Sequence, residues 1–75
     1  MELFKFFKNE NLKLALYHRM QGQYRTAFSF LKRACDEDKD PEALFLMGRT
    51  YQVGGFKKSP DPALSGEYYS LSARA

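Results

Sequence analysis

Asp-Pro pairs and glycine turns divide this 75-residue sequence into four short segments with helical periodicity. Pro41 and Pro62 each follow an aspartate, which is the order expected of an N-cap residue and the first residue of a helix. Glycines at 22 and 54–55 separate the remaining segments. Apolar residues inside the segments recur about every 3.6 residues and do not alternate strictly. The stripe of segment three is Ala43, Leu44, Met47, Gly48 and Tyr51, and that of segment four is Leu64, Tyr68, Leu71 and Ala75. The sequence therefore predicts helices over about 11–20, 23–36, 41–53 and 62–74.

The links between most of these segments are short, which predicts antiparallel neighbours. Segments one and two pair as one hairpin, and segments three and four pair as another. The predicted fold class is all-α, with two stacked antiparallel helical hairpins in a short right-handed superhelix. One small domain spans residues 1–75, with an N-terminal helical lead-in at 1–10, a first repeat at 11–38 and a second at 40–75.

A chain of this length is marginally stable, because it buries only about 60–65% of the surface that its unfolded form exposes. Its one cysteine, Cys35, and its one histidine, His18, are too few for an internal disulfide or a four-ligand zinc site. We therefore expect no metal and no cofactor. Close helix packing or association with another protein has to stabilise the fold.

Small residues lie within the apolar stripes of the predicted helices. Ala27 and Ala34 share a face with large residues of segment two, and Gly48 lies in the middle of segment three. Small residues let two helix axes approach toward the low end of the usual range of about 8–10 Å, and large neighbours then fill the grooves. This alternation is typical of stacked helical hairpins, in which each hairpin covers the apolar face of the next.

The second hairpin, ALFLMGRTYQVGGFKKSPDPALSGEYYSLSA, resembles a Sel-one-like repeat, a variant of the tetratricopeptide repeat. The positions that agree are Ala43, Met47, Gly48, Tyr51, Gly54, Gly55, Phe56, Asp61, Tyr68, Tyr69 and Ala73. Gly66 departs from the pattern, which has alanine there. The first hairpin resembles a plainer tetratricopeptide-like unit at Ala15, Gly22, Tyr24, Ala27, Leu31 and Ala34. Aligning the two hairpins equates Ala15 with Gly48 and Ala34 with Ala73.

This resemblance implies a non-enzymatic scaffold or adaptor that holds a protein or peptide on a concave face. The first helix of each hairpin forms that face in such repeats. By that analogy the partner-binding residues are His18, Arg19, Arg49 and Gln52. Lys57 and Lys58, in the insertion of the second turn, are expected to contact acidic groups of a partner.

The C-terminal helix is expected to leave an apolar edge uncovered, because at least about three repeats are usually needed for stability. Three arrangements would cover that edge: self-association, docking onto a partner, or continuation into a longer protein. Self-association would use Leu64, Tyr68 and Leu71.

The residue pattern does not indicate catalysis. His18 lacks the nucleophile and orienting carboxylate that a catalytic histidine needs, so we interpret it as structural or solvated. Cys35 lies on an apolar stripe beside the acidic run DEDKD, which predicts a buried thiol with a raised pKa. The acidic run lacks the ligand order of a calcium loop, and GGFKK lacks the spacing of a phosphate loop.

Two other classes of function remain as alternatives to protein binding. The net charge of +3 is mild and does not decide for or against nucleic acid. Helical repeats can bind RNA through basic and aromatic side chains on one face. The contacts would be Arg19, Arg25, Lys32, Arg33 and Arg49.

The N-terminal stretch MELFKFFK could dock on a membrane surface through Phe4, Phe6 and Phe7. The preferred interpretation is that it covers the outer face of the first hairpin. No apolar run is long enough to span a membrane, and the expected location is cytoplasmic.

Overall fold

A computed structural model describes residues 7–75, which form four α-helices and one short 3₁₀ helix. The helices are α1 (Glu10–Met20), α2 (Tyr24–Asp36), α3 (Pro41–Val53) and α4 (Pro62–Arg74), with the 3₁₀ turn (Gly55–Lys57) between α3 and α4. No strand occurs in this part of the chain. The all-α fold class is confirmed, and each helix begins and ends within one residue of its predicted bounds.

Side-chain caps determine where three of the helices begin. The side-chain oxygens of Asn9, Asp40 and Asp61 each accept a hydrogen bond from the backbone N–H three residues later, at 2.9, 2.9 and 3.2 Å. Pro41 and Pro62 occupy the first turn of α3 and α4, where the missing N–H costs no intrahelical hydrogen bond. The predicted Asp-Pro helix starts are confirmed.

The helices pack as two hairpins, α1 against α2 and α3 against α4. Gly22 turns the first hairpin with φ 77°, and Gly54 ends α3 with φ 79°. These left-handed conformations are open to glycine without a steric penalty. The hairpins join where α2 packs on α3 and where the 3₁₀ turn packs on both helices. The predicted hairpin arrangement is confirmed.

One core joins the hairpins, and small residues lie at its helix contacts. Ala15, Ala27 and Ala34 have no exposed surface, and Gly48 is buried. Because these side chains are small, the helices approach closely enough for the larger core residues to fill the remaining space. The other core residues are Leu12, Leu16, Leu31, Cys35, Ala43, Leu44, Met47 and Phe56.

The contact between α3 and α4 combines an aromatic ring with two hydroxyl groups. The Tyr69 ring lies directly on Gly48, so closely that a methyl group there would be 2.8 Å from Cδ1 of the ring. The buried Ser65 hydroxyl donates a 2.9 Å hydrogen bond to the backbone oxygen of Gly48. The Ser72 hydroxyl donates another, also of 2.9 Å, to the backbone oxygen of Pro41. The packing of α4 thus depends on polar side chains as well as apolar ones.

The predicted apolar stripe of α4 is therefore wrong in detail. That stripe ran through Leu64, Tyr68, Leu71 and Ala75. In the structure Leu71 is 46% exposed and Ala75 is exposed, whereas Ser65 is the buried residue of this helix. Tyr68 does pack against the core, but serine hydroxyls that bond to carbonyl groups of α3 do not register in a hydrophobic pattern, so the stripe missed Ser65.

The predicted equivalence of Ala34 and Ala73 is also wrong, because Ala34 is fully buried and Ala73 is exposed. Counted from the first residue of each helix, Ala34 of α2 corresponds to Ser72 of α4. By the same count, Ala27 of α2 corresponds to Ser65 of α4, and both residues are buried.

The predicted lead-in at 1–10 lies mostly outside the described residues, as do Phe4 and Phe6. Residues 7–9 are not helical, and Phe7 is half-buried against the core. The side-chain amides of Asn9 and Asn11 donate hydrogen bonds of 2.9 and 3.0 Å to Asp38. These bonds hold the pKa of the Asp38 carboxyl below its usual value, and they attach the start of α1 to the loop between the hairpins.

Replacing Gly48 with alanine is expected to destabilise the fold, although alanine favours a helix by about 1 kcal/mol. The methyl group would overlap the Tyr69 ring, which is held by Phe45 at a centroid distance of 5.3 Å and by a hydrogen bond to Gln52. Overpacking of this kind costs roughly 1–3 kcal/mol. Urea denaturation should show a net fall in the free energy of unfolding.

Gly66→Ala is the matched control in α4. Gly66 is exposed, and nothing lies within 4 Å of an added methyl group. The same substitution should therefore raise the free energy of unfolding by about 0.5–1 kcal/mol, through helix propensity alone. If Gly48→Ala stabilised the protein as Gly66→Ala does, the close contact with Tyr69 would not be a constraint on the fold.

Candidate partner-binding groove

An open groove of about 560 Å³ lies between α1 and α3. Leu12 and Leu16 line it from α1, and Phe45 and Leu46 line it from α3. The two α1 leucines are buried and form the floor, whereas Phe45 is 52% exposed. The remaining lining residues are Phe7, Arg19, Pro41, Glu42, Arg49 and Ser72. We call this surface the α1–α3 groove; it presents apolar side chains that solvent can reach.

Charged side chains border the apolar part of the α1–α3 groove. Arg19 is exposed in the last turn of α1, Arg49 is exposed in the second half of α3, and Glu42 is exposed in the first turn of α3. Glu42 and Arg49 are about 10 Å apart along the helix axis, given a rise of about 1.5 Å per residue. Neither arginine forms an ion pair within residues 7–75. The groove can therefore accept an apolar side chain together with a carboxylate.

Two of the predicted partner-binding residues, Arg19 and Arg49, thus lie at this groove. His18 lies elsewhere, between α1 and α2. Its ring stacks on Phe30 with centroids 5.4 Å apart, and its Nδ1 is 2.6 Å from Oε1 of Gln23. These contacts occupy one ring face and one ring nitrogen of His18, consistent with a structural histidine.

Gln52 is engaged within the second hairpin. Its Oε1 accepts a 2.6 Å hydrogen bond from the hydroxyl group of Tyr69. His18 and Gln52 therefore belong to different hairpin contacts, and the four residues predicted for the concave face do not line one groove.

Lys57 and Lys58 line a separate cavity beside α2, which we call the basic cleft. The Lys57 ammonium lies 5.1 Å from the ring centroid of Tyr24, and the Lys58 ammonium lies 4.2 Å from that of Phe28. The full lining of the basic cleft is Tyr24, Arg25, Phe28, Ser29, Lys32, Phe56, Lys57 and Lys58. It shares no lining residue with the α1–α3 groove.

The basic residues predicted for RNA binding are divided between these surfaces. Arg19 and Arg49 line the α1–α3 groove, and Arg25 and Lys32 line the basic cleft. The Arg33 guanidinium lies 5.6 Å from the ring centroid of Phe30 and belongs to neither cavity.

Phe45 and Leu46 line the groove but are not among the residues that the sequence predicts for partner binding. The predicted stripe of α3 ran through positions 43, 44, 47, 48 and 51, and Phe45 and Leu46 lie off it. The sequence does contain a signal for them, because Phe45 and Leu46 are two adjacent apolar residues outside the core-facing stripe. Such a pair predicts a second apolar face on the same helix.

Cys35, the other candidate for chemistry, is 3% exposed. Burial raises the pKa of its thiol from 9.0 to about 12, and the nearby carboxylates of Asp36 and Asp40 act in the same direction. The predicted buried thiol with a raised pKa is confirmed. Among residues 7–75, no three or more His, Cys, Asp or Glu side chains are grouped so that they could hold a metal ion.

Comparisons with models of known protein families, with curated proteins and with solved structures give no match. The Sel-one-like resemblance therefore stays a prediction drawn from the residues. In the described part of the chain, no helix has the length and apolar character needed to cross a membrane. What the chain does has to be inferred from the α1–α3 groove and the basic cleft.

The Cys35 thiol of the folded protein is expected to resist dithiobis-nitrobenzoate at about pH 8, because it is buried and protonated. Unfolding in guanidinium should release a reactive thiol. Cys35→Ala, which should give no signal in either state, is the control. A fast reaction of the native protein would show that this site opens readily.

The raised pKa of the Cys35 thiol makes the free energy of unfolding depend on pH in the alkaline range. Because the folded pKa lies above the ordinary value, the neutral thiol favours the folded state below about pH 9, and this contribution is lost as the pH rises from 9.0 toward about 12. Cys35→Ala should lose less stability over that window, as measured by urea denaturation at each pH. An identical pH dependence in both proteins would contradict this.

Proposed function

We propose that this chain is a non-enzymatic protein-interaction module that binds a protein or peptide segment in the α1–α3 groove. The observation that carries the proposal is the half-exposed Phe45 above a floor of buried leucines, with Arg19 and Arg49 at the border. Concave apolar surface with a few polar groups is typical of recognition sites. Aromatic residues and arginine are also the residues that contribute most to protein interfaces.

The lining residues favour a ligand of defined chemistry. An aliphatic or aromatic side chain would pack on Phe45 and the leucine floor. A carboxylate would bind Arg49 or Arg19, because a guanidinium can donate two parallel hydrogen bonds to a carboxylate. Glu42, in the first turn of α3, gives the groove a negative group as well and so favours one direction of the peptide.

We further propose that the two hairpins are tetratricopeptide-like units of the Sel-one-like type, acting as a cytoplasmic scaffold or adaptor. The motivation is the residue pattern of the two hairpins, together with buried small residues in all four helices: Ala15, Ala27, Gly48 and Ser65. In such repeats the first helices form the binding face, and on this proposal α1 and α3 would do so here.

RNA binding and membrane docking receive less support from the geometry. The five basic residues that an RNA interface would need are divided among different surfaces. Phe7, one of the three phenylalanines that a membrane anchor would use, packs against the core and lines the α1–α3 groove.

Selection of peptides from a displayed random library against the immobilised protein tests the groove. We expect enriched peptides to combine an aliphatic or aromatic residue with a nearby Asp or Glu. For an enriched peptide synthesised and titrated calorimetrically, Phe45→Ala and Arg49→Gln should each raise Kd about tenfold, as loss of an interface anchor does.

Val53→Ala and Arg33→Gln are matched controls. Val53 is 65% exposed on the same helix as Phe45, Arg33 is exposed on α2, and neither lines the groove. Both should keep Kd within about twofold of the parent, since substitutions outside an interface core have little effect. No enrichment, or equal losses in control and groove variants, would contradict the proposed function.

The exposed side chain of Leu71 favours a second candidate function, self-association through α4. Leu71 is 46% exposed and, with Tyr68, Cys35 and Leu44, lines a groove of about 370 Å³ beside α4. Sedimentation equilibrium should then show a dimer that Leu71→Lys converts to monomer, because a buried charge opposes the contact. Val53→Lys, equally polar but outside that groove, should leave the dimer intact. A monomeric parent at high concentration would remove this arrangement.

A further inference from the structure

The basic cleft groups four of the twelve Lys and Arg residues of the chain. It is about 580 Å³ in volume, and no acidic residue lines it. Its four cations exceed the net charge of +3 carried by the whole chain. They are Arg25, Lys32, Lys57 and Lys58. Such a one-signed cavity attracts anionic groups and raises their rate of encounter.

None of the four cations forms an ion pair with another side chain of the described residues. Within residues 7–75 the ion pair that forms is Lys13–Glu10, which lies on α1 and outside the basic cleft. The acidic side chains of the α2–α3 loop follow the C-terminal end of α2, whereas Arg25 and Lys57 lie near its N-terminal end. No carboxylate of the described residues lines the basic cleft itself, and Lys32, at the end of the cleft toward the C-terminus of α2, also lines a neighbouring cavity with Asp36 and Glu37.

The aromatic rings of the cleft orient the lysines. Lys57 and Lys58 each cover one ring face, of Tyr24 and Phe28 respectively. Phe28 also packs edge-on against Tyr51 and Phe56, with centroids 6.4 and 6.3 Å away. Single-stranded nucleic acid needs ring faces on which bases can stack. Because Lys57 and Lys58 already cover one face of each ring, fewer ring faces are open to bases, and the cleft favours a ligand that presents anionic groups.

The backbone of the 3₁₀ turn fixes the lysines in this position. Phe56 and Lys57 have φ 52° and φ 57°, a left-handed conformation that costs side-chain-bearing residues free energy. The conformation persists because the Phe56 ring is buried, 5% exposed, with the Arg19 guanidinium 5.1 Å from its centroid. The turn thus places two successive lysines against α2 before any ligand binds.

We propose that the basic cleft binds an acidic peptide segment, a run of Asp and Glu residues in a partner protein. In an extended peptide, side chains two residues apart lie on the same face about 6.5–7 Å apart, so that alternate carboxylates present a row of negative charge to one surface. Charge complementarity carries this proposal. It does not rest on the proposed function, because the basic cleft and the α1–α3 groove share no lining residue.

A fluorescein-labelled Asp-Glu hexapeptide is the probe, with binding followed by fluorescence anisotropy. At about 20 mM salt, where screening of exposed charges is weak, we expect saturable binding, and none of an Asn-Gln hexapeptide. Lys57→Gln/Lys58→Gln should raise Kd about five- to tenfold, as expected for two exposed charge pairs. Glutamine, like lysine, has an unbranched side chain, so the substitution does not change the cost of the left-handed backbone at position 57. Circular dichroism checks that the fold is kept.

The matched control is Lys8→Gln/Lys13→Gln, which removes the same charge outside the basic cleft. It should change Kd less than about twofold, because charges outside the contact act only through the screened field of the protein. Equal weakening by both double variants would show attraction to net charge alone and overturn the proposal, as would an absence of peptide binding.

A uridine decanucleotide tests the competing ligand. If it bound more tightly than the peptide, and if Lys57→Gln/Lys58→Gln abolished that binding, the cleft would be assigned to nucleic acid instead. Phe45→Ala, which tests the α1–α3 groove, should leave hexapeptide binding unchanged.

Discussion

The close contact of Gly48 with the Tyr69 ring is the constraint on which the second hairpin and its groove depend. With only hydrogen on the Gly48 Cα, the ring lies flat on α3, and the Ser65 hydroxyl reaches the adjacent backbone oxygen. The same ring contacts Phe45 on one side and donates a hydrogen bond to Gln52 on the other. Phe45, one turn before Gly48 on α3, is therefore held at the α1–α3 groove by the same ring that packs α4 on α3.

The two hairpins are stabilised as one unit by residues that sequence position alone would assign to loops. Phe56 lies in the turn after α3, yet its ring is buried in the shared core and contacts Phe28 of the first hairpin. Asp38 lies in the loop between the hairpins and accepts hydrogen bonds from both asparagines at the start of α1. A chain this short has few core residues, and such contacts add buried surface and fixed geometry without lengthening the helices.

The helices could be predicted almost completely from the sequence, because their signals are local. Asp40 and Asp61 each precede a proline, and glycine ends or turns the intervening segments. The face of α4 could not be predicted in the same way. Ser65 and Ser72 are polar by residue type, and only their hydrogen bonds to carbonyl groups of α3 make them interface residues.

The candidate surfaces were predicted in part, for a related reason. Arg19 and Arg49 were placed by analogy with the first helices of repeats, and both lie at the α1–α3 groove. His18 and Gln52 follow the same helical spacing, but each makes contacts with the partner helix of its own hairpin. Whether an exposed polar side chain makes such a contact depends on the distance to the neighbouring helix. Helical periodicity in the sequence carries no information about that distance.

The attachment of Asp38 to Asn9 and Asn11 has a consequence for acidic environments. The carboxylate form accepts both amide hydrogen bonds, so its pKa falls below the ordinary 3.8. Above that pH the attachment is complete, and it weakens only as acidification protonates the folded carboxyl at a lower pH. The N-terminal end of the described chain therefore stays joined to the inter-hairpin loop at the mildly acidic pH of an endosome as well as at neutrality.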